Sequence, residues 1–419
     1  MTSGAASNSG PAKTTSRLIC VDLLRGLAAL FVVLYHAQGF FRRTPVATIW
    51  NGGIYDLFVE PIQQLVAYLL FGFGFLGVPL FFIISGFCIH LPFAAPDTVA
   101  NKPLKIRTFA PRRFLRLYPA YAVTCLAGFV LAVARSGLGE DVATWSNLAG
   151  HLAFWHYDFP FATHGAELTI VLWSIVVEVH FYILYAILFT GLRRLGIGRA
   201  TLLAVLIGIG YRLIWALEGM DGADTLAFFE PHRFALARFG EWMLGAWIAE
   251  CYVRGDFEPG KLNVVRASSF LGWTGVWLGL AAVGLSLLVT ALFSASQYTS
   301  EVPVTIGFAW VIASLLSLER SDRLKLGKRF RAGATWLGDR SYSLYLIHYR
   351  VISVVGEFYV RVMGIAGKDA HGGSIAWFGV TIAAITAALI AADVMYRVIE
   401  RPTHGWARKV GKKPAPAAV

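Results

Sequence analysis

Five side chains carry most of the chemistry this sequence offers: Arg25, His36, Arg113, Arg116 and Glu178, each set in or beside an otherwise apolar run. In VDLLRGLAALFVVLYHA, Arg25 and His36 are eleven positions apart, which on an α-helix leaves them about 20° apart around the axis and about 16 Å apart along it. One helix face thus carries a permanent cation at one depth and, about three turns on, an imidazole able to act as base or nucleophile. In APRRFLRLYPAYAV, Arg113 and Arg116 stand at i and i+3. Two guanidiniums so spaced can grip phosphates bidentately, and equally can anchor the start of a span on its cytoplasmic side. In LWSIVVEVHFYILYAIL, Ser174, Glu178, Tyr182 and Tyr185 form one polar stripe at helical spacing. A carboxyl among hydroxyls can exchange protons or hold an imidazole in one tautomer, or it can pair with an arginine as a structural acid. In DRSYSLYLIHYRV, Ser341, Tyr345 and His348 share a face, so His348 is expected to line the same cavity. Ser85 in IISGF is expected either as a small packing residue or as a hydroxyl relay. Arg238 with Glu241, and Asp393 with Arg397 and Glu400, read as helix-end ion pairs.

The elements that must hold these groups are membrane helices. The chain has 419 residues, 57% of them hydrophobic and 15% charged, and about 20 predominantly apolar residues suffice for one helical crossing. An all-α polytopic bundle of about ten spans is expected, at 18–41, 66–91, 117–134, 168–190, 200–217, 235–252, 270–293, 303–318, 341–360 and 374–398. A charge near the bilayer centre costs roughly 3 kcal/mol, so the ionisable residues in these spans should face partners or a wet cavity. The net charge of +12 does not indicate nucleic acid, because the cations collect in alternate loops. With an inside N-terminus, one set of loops holds Lys102, Lys105, Arg107 and Arg112, then Arg193, Arg194 and Arg199, and later Arg320 to Arg331. The opposite loops hold Asp158, Glu167, Asp221, Asp224 and Glu230, so both termini are expected in the cytoplasm, with Arg42 and Arg43 as the main exception. Residues 1–17 read as a disordered tail, 18–402 as one membrane domain and 403–419 as a basic cytoplasmic tail. The stretch LAGHLAFWHYDFPF, with His151 and His156, reads as interfacial. Cys20, Cys88, Cys125 and Cys251 lack metal spacing, so neither a disulfide framework nor a metal site is expected.

Together these pieces resemble the membrane acyltransferase-3 family, integral-membrane enzymes that acylate envelope glycans and other hydroxylated acceptors. The resemblance rests on DLLRGLAALFVVLYHA, GVPLFFIISGFCIH, RRFLRLYPAY, LWSIVVEVHFYILY, RFGEWMLG, SYSLYLIH and IERP, in that order. It implies His36 as the essential catalytic residue and Arg113 and Arg116 in donor binding, and its acidic position matches Glu178. The chain departs from the family pattern at Leu23, where many members have Gly, and at His90 after SGF. His90 reads either as a residue that tunes acceptor choice or as a helix-end residue.

The resemblance implies no bound cofactor and an acyl-CoA donor, most simply acetyl-CoA. The expected reaction is O-acyl transfer to a hydroxyl of a saccharide, glycan or glycolipid in a bacterial inner membrane. Arg25, Arg113 and Arg116 would neutralise donor phosphates, and His36 would act as base or as a covalent acyl relay, with Glu178 fixing its imidazole. Ser85, Ser174, Tyr182 and His348 would line the cavity. No appended extracytoplasmic esterase domain is expected. The competing reading is a transporter or flippase using the same polar residues without covalent chemistry.

Overall fold

In lipid the backbone must satisfy its own hydrogen bonds, and the described residues do so with helices. A computed structural model describes residues 17–41, 74–94, 103–139, 144–154, 171–217, 234–256, 272–293, 297–362 and 374–411. Among them are α1 Ile19–Phe41, α2 Gly77–His90, α3 Ile106–Ser136, α4 Trp145–Leu152, α5 Trp173–Leu195 and α6 Ile197–Leu217. Next come α7 Ala235–Arg254, α8 Trp273–Phe293, α9 Gln297–Arg320, α10 Lys328–Val362, α11 Ser374–Met395 and α12 Arg401–Lys409. No strand occurs among the described residues. The N-terminal tail up to residue 16, Arg42, Arg43, Lys102, His156, the acidic loop residues Asp158 to Glu230 and the last eight residues lie outside the described residues.

Each of the ten expected segments overlaps a helix, and six helical stretches are long and apolar enough to cross a membrane. These are Ile19–Ala37, Ile106–Ser136, Trp173–Leu195, Ile197–Trp215, Glu301–Arg320 and Gly379–Lys409. The protein is a multi-pass membrane protein. Three expected boundaries move outward. The span placed at 117–134 is the later part of the 31-residue α3, so the basic segment with Arg112, Arg113 and Arg116 continues the same helix. Pro111 and Pro119 lie inside it, and each leaves the carbonyl four residues before it without its helical N–H donor. Likewise α10 runs for 35 residues from the basic Lys328, and α9 begins before Pro303. Residues from 403 onward, expected as a tail, are helical to Lys409. A single wide π-helical turn, Tyr396–Glu400, joins α11 to α12, and α12 packs on α3.

α1 lies along α10 and also touches α2, α9 and α11. Small residues make these approaches close: Ala29, Val33 and Ala37 cluster with Ala384, Ala388 and Ala392. The tightest seam joins α2 to α7. A Cβ on Gly86 would lie 1.9 Å from the Trp242 carbonyl oxygen, and one on Gly245 would lie 1.9 Å from that of Ile83. Any side chain there would push the helices apart, so the glycines set where Ser85 and Trp242 meet. α4 is capped by Thr144, whose hydroxyl accepts from Asn147 N–H at 3.2 Å. His151 is buried within the protein, and its carbonyl accepts from the Tyr121 hydroxyl at 2.7 Å.

Candidate active site

Helices α1, α2, α3, α5 and α10 enclose a cavity of about 80 Å³. Its walls bring together Arg25, Ser85, Arg113, Arg116, Ser174, Glu178 and Tyr182, with Tyr342 and Tyr345 from α10. Arg25, Arg113 and Arg116 also line an open pocket of about 630 Å³, which Arg17, Arg112, His404 and Arg408 complete. The three arginines therefore stand where a wide basic mouth meets a narrow polar interior.

Their partners differ from those of the surrounding cations. Arg17 pairs with Asp22 and, at 2.6 Å, with Asp339. Arg112 donates to the Val410 carbonyl at 2.7 and 3.2 Å, which fastens the end of α12 to α3. Among the described residues, Arg25, Arg113 and Arg116 form no ion pair, and the buried Nε of Arg113 has no acceptor. Asp22 and Asp339 also line the open pocket and Glu178 the cavity, but none of them forms an ion pair with these three half-buried guanidiniums, so their donors remain available to an anion.

Deeper in, the Glu178 carboxylate accepts from the Ser85 hydroxyl at 2.6 Å and from the Tyr182 hydroxyl at 2.5 Å. Trp242 donates its indole N–H to the Ser85 oxygen at 3.3 Å. The Ser85 hydroxyl therefore joins α2 to both α5 and α7 by hydrogen bonds. At the far end the Tyr345 hydroxyl donates to the Val171 carbonyl at 2.7 Å and accepts from Ser174 at 2.7 Å.

His36 lies beyond the Tyr345 wall. Its Nδ1 is 2.9 Å from the Val32 carbonyl and 3.1 Å from Nε2 of His348, while Tyr35 and Tyr349 meet its ring edge-on. Two expectations are corrected here. Glu178 does not hold the His36 imidazole: α1 packs along α10, so an α10 side chain occupies that position and Glu178 bonds to Ser85 and Tyr182 instead. His348 does not line the cavity; it is fully buried behind Tyr345, whose ring lies 5.9 Å from it.

The ion pairs expected at helix ends also change. Arg238 and Glu241 belong to a buried quartet with Arg212 and Glu301. Glu241 takes Arg212 at 2.9 Å and Arg238 at 2.9 Å, and Glu301 takes them at 3.2 and 3.3 Å. Asp393 pairs with Arg340 and with Arg397, but Glu400 turns inward, accepts from Ser343 at 2.6 Å and faces His404 at 3.6 Å. His90, at the end of α2, is buried between the Tyr185 hydroxyl at 2.7 Å and Glu250 at 2.8 Å. That sheltered position is away from the cavity walls.

Sequence reading missed Arg17, His404 and Arg408 at the mouth and Glu301 in the quartet. The i, i+4 spacing of Glu400, His404 and Arg408 was the available signal for one helix face; for Glu301, placed outside the expected span, there was none.

The sequence that builds this arrangement is similar to those of known proteins. A family model described as an acyltransferase domain covers residues 18–397. The chain belongs to the acyltransferase-3 family. It is similar to the acyltransferase MdmB of Streptomyces mycarofaciens, with 26% identity over 82% of this chain and 85% of that protein. It is also similar to the peptidoglycan O-acetyltransferase OatA of Listeria monocytogenes, with 24% identity over 91% of this chain and 55% of OatA, so it spans about half of that relative. No solved structure matches it. Membership makes the chain an acyltransferase-family enzyme and favours group transfer over transport.

Proposed function

We propose that this protein is an integral-membrane O-acyltransferase that moves an acetyl group from acetyl-CoA to a hydroxyl of a saccharide, glycan or glycolipid of the cell envelope. The observation that carries the donor assignment is the set of three unpaired arginines shared by the mouth and the cavity. A coenzyme A is a polyphosphate with a long, narrow, amide-bearing arm. Its phosphates match Arg25, Arg113 and Arg116 by charge and by bidentate geometry, and its arm matches the narrow polar interior. The acceptor class is drawn from the relatives, OatA being named for peptidoglycan.

In this reading His36 is the catalytic residue, reached when the acyl end passes Tyr345. His36 takes the acceptor hydroxyl proton as general base, or carries the acetyl group itself as a relay. Glu178, with Ser85 and Tyr182, forms a hydrogen-bonding station that orients the arm or the acceptor in the cavity. Both termini lie in the cytoplasm, with the mouth on the cytoplasmic side of a bacterial inner membrane.

The deciding experiment supplies labelled acetyl-CoA to purified protein in lipid, with an envelope glycan extract as acceptor. Label should move to the glycan with the native chain and stop with His36→Ala while acetyl-CoA binding persists. Transfer undiminished by His36→Ala would remove the catalytic assignment.

A further inference from the structure

The hydrogen-bond partners around His36 admit one arrangement of protons. His348 turns Nδ1 toward two backbone carbonyls, Tyr345 at 2.7 Å and Leu344 at 3.1 Å. A carbonyl oxygen only accepts, so Nδ1 of His348 bears the proton and, in the neutral ring, its Nε2 is a bare lone pair. That lone pair faces Nδ1 of His36 at 3.1 Å. The same His36 nitrogen faces the Val32 carbonyl at 2.9 Å. Two acceptors converge on one atom, so Nδ1 of His36 is the protonated nitrogen and its Nε2 keeps the lone pair. A doubly protonated His348 would reverse the contact and leave a His36 lone pair against the Val32 oxygen, a repulsive arrangement.

We infer that His348 is a positioning residue that, together with the Val32 carbonyl, holds His36 in the tautomer with Nε2 free, the role expected of Glu178. The inference rests on the proposed function for its chemical meaning but not for its geometry. It suits the setting: His348 is fully buried, and a neutral acceptor orients the base without adding a second charge inside the bundle. The acceptor hydroxyl gives its proton to Nε2 of His36 as its oxygen bonds to the thioester carbonyl carbon. The C–S bond then breaks, and the leaving thiolate takes that proton from Nε2. Throughout, Nδ1–H of His36 stays on His348, and the contact becomes a charge-assisted hydrogen bond while the imidazolium exists. His348 neither gains nor loses a proton, and the ring cannot turn away.

Two substitutions of similar size separate this role from packing. His348→Gln keeps an acceptor oxygen within reach of His36, whereas His348→Met removes it. In protein carrying ¹⁵N-labelled histidine, with the His36 signals identified by their loss in His36→Ala, the native chain should show protonated Nδ1 and bare Nε2. His348→Met leaves the Val32 carbonyl as the one remaining acceptor at Nδ1, so part of the proton should move to Nε2, and kcat should fall at least about tenfold with KM for acetyl-CoA unchanged. His348→Gln should keep the native signals and most of the turnover. Unchanged His36 signals in His348→Met overturn the inference whatever the activity, as does redistribution in His348→Gln. Should the Met variant not fold, the Gln variant alone decides. Transfer undiminished by His36→Ala overturns the functional reading instead and leaves the nitrogen signals standing as evidence for the lock.

Discussion

Two arginine groups inside one bundle meet opposite fates. In the quartet, Arg212 and Arg238 share Glu241 and Glu301, so two positive and two negative groups cancel within hydrogen-bonding distance and the side chains are almost wholly buried. At the mouth, Arg25, Arg113 and Arg116 form no ion pair among the described residues and stay half-buried beside an open pocket. A buried charge is tolerated when its partner is supplied by the fold, and it marks a site when its partner must come from outside. The quartet holds helices α6, α7 and α9 together, and the mouth leaves those three guanidiniums without an ion-pair partner among the described residues.

The largest effect should come from breaking the quartet. Glu241→Gln leaves the two guanidiniums with half their counter-charge and is expected to cost about 3 to 5 kcal/mol of stability, read as an early thermal transition in lipid nanodiscs. At the mouth the sign differs. Arg113→Ala and Arg116→Ala should each weaken acetyl-CoA binding by about tenfold to a hundredfold, the worth of one charge-assisted contact, while the thermal midpoint holds or rises. A large loss of stability there would erase the contrast. An intermediate case is Ser85→Ala, which removes a donor to Glu178 and should cost about 1 to 2 kcal/mol, again by thermal unfolding. The smallest effect belongs to Asp322→Asn. The Lys325 ammonium at 2.6 Å holds the Asp322 carboxyl below its usual range, but the pair is fully exposed and no shift in the midpoint is expected.

The contrast explains what could be read from sequence. Helices were legible because apolar runs of spanning length have few alternatives, and Arg25, Arg113, Arg116, Ser85, Ser174, Glu178 and Tyr182 do gather in one cavity because helical spacing put each set on one face. Which helix faces which was not legible. Glu178 was the expected partner of His36 and His348 only a cavity-lining residue; the packing of α1 along α10 puts His348 against His36 instead. Glu301 was hidden for a related reason: its apolar segment was drawn to start at Pro303, although α9 begins at Gln297 and carries the proline within its second turn. The mouth was half legible, since Arg17 and Arg408 come from segments too polar to be read as part of a membrane domain.

The wide turn at Tyr396–Glu400 has a bearing on how this mouth can change. One additional residue per turn there sets the rotation of everything after it, and α12 offers His404, Ala407 and Arg408 to the mouth only at that rotation. Losing a single residue from the turn would swing α12 by about 100° and carry those side chains away, with the composition of the helix untouched. The mouth should therefore forgive conservative exchanges in this turn and reject a change of length, so that deleting Val398 weakens acetyl-CoA binding while Val398→Ile leaves it intact. Chain length at this turn, as much as residue identity, belongs to the specification of the mouth.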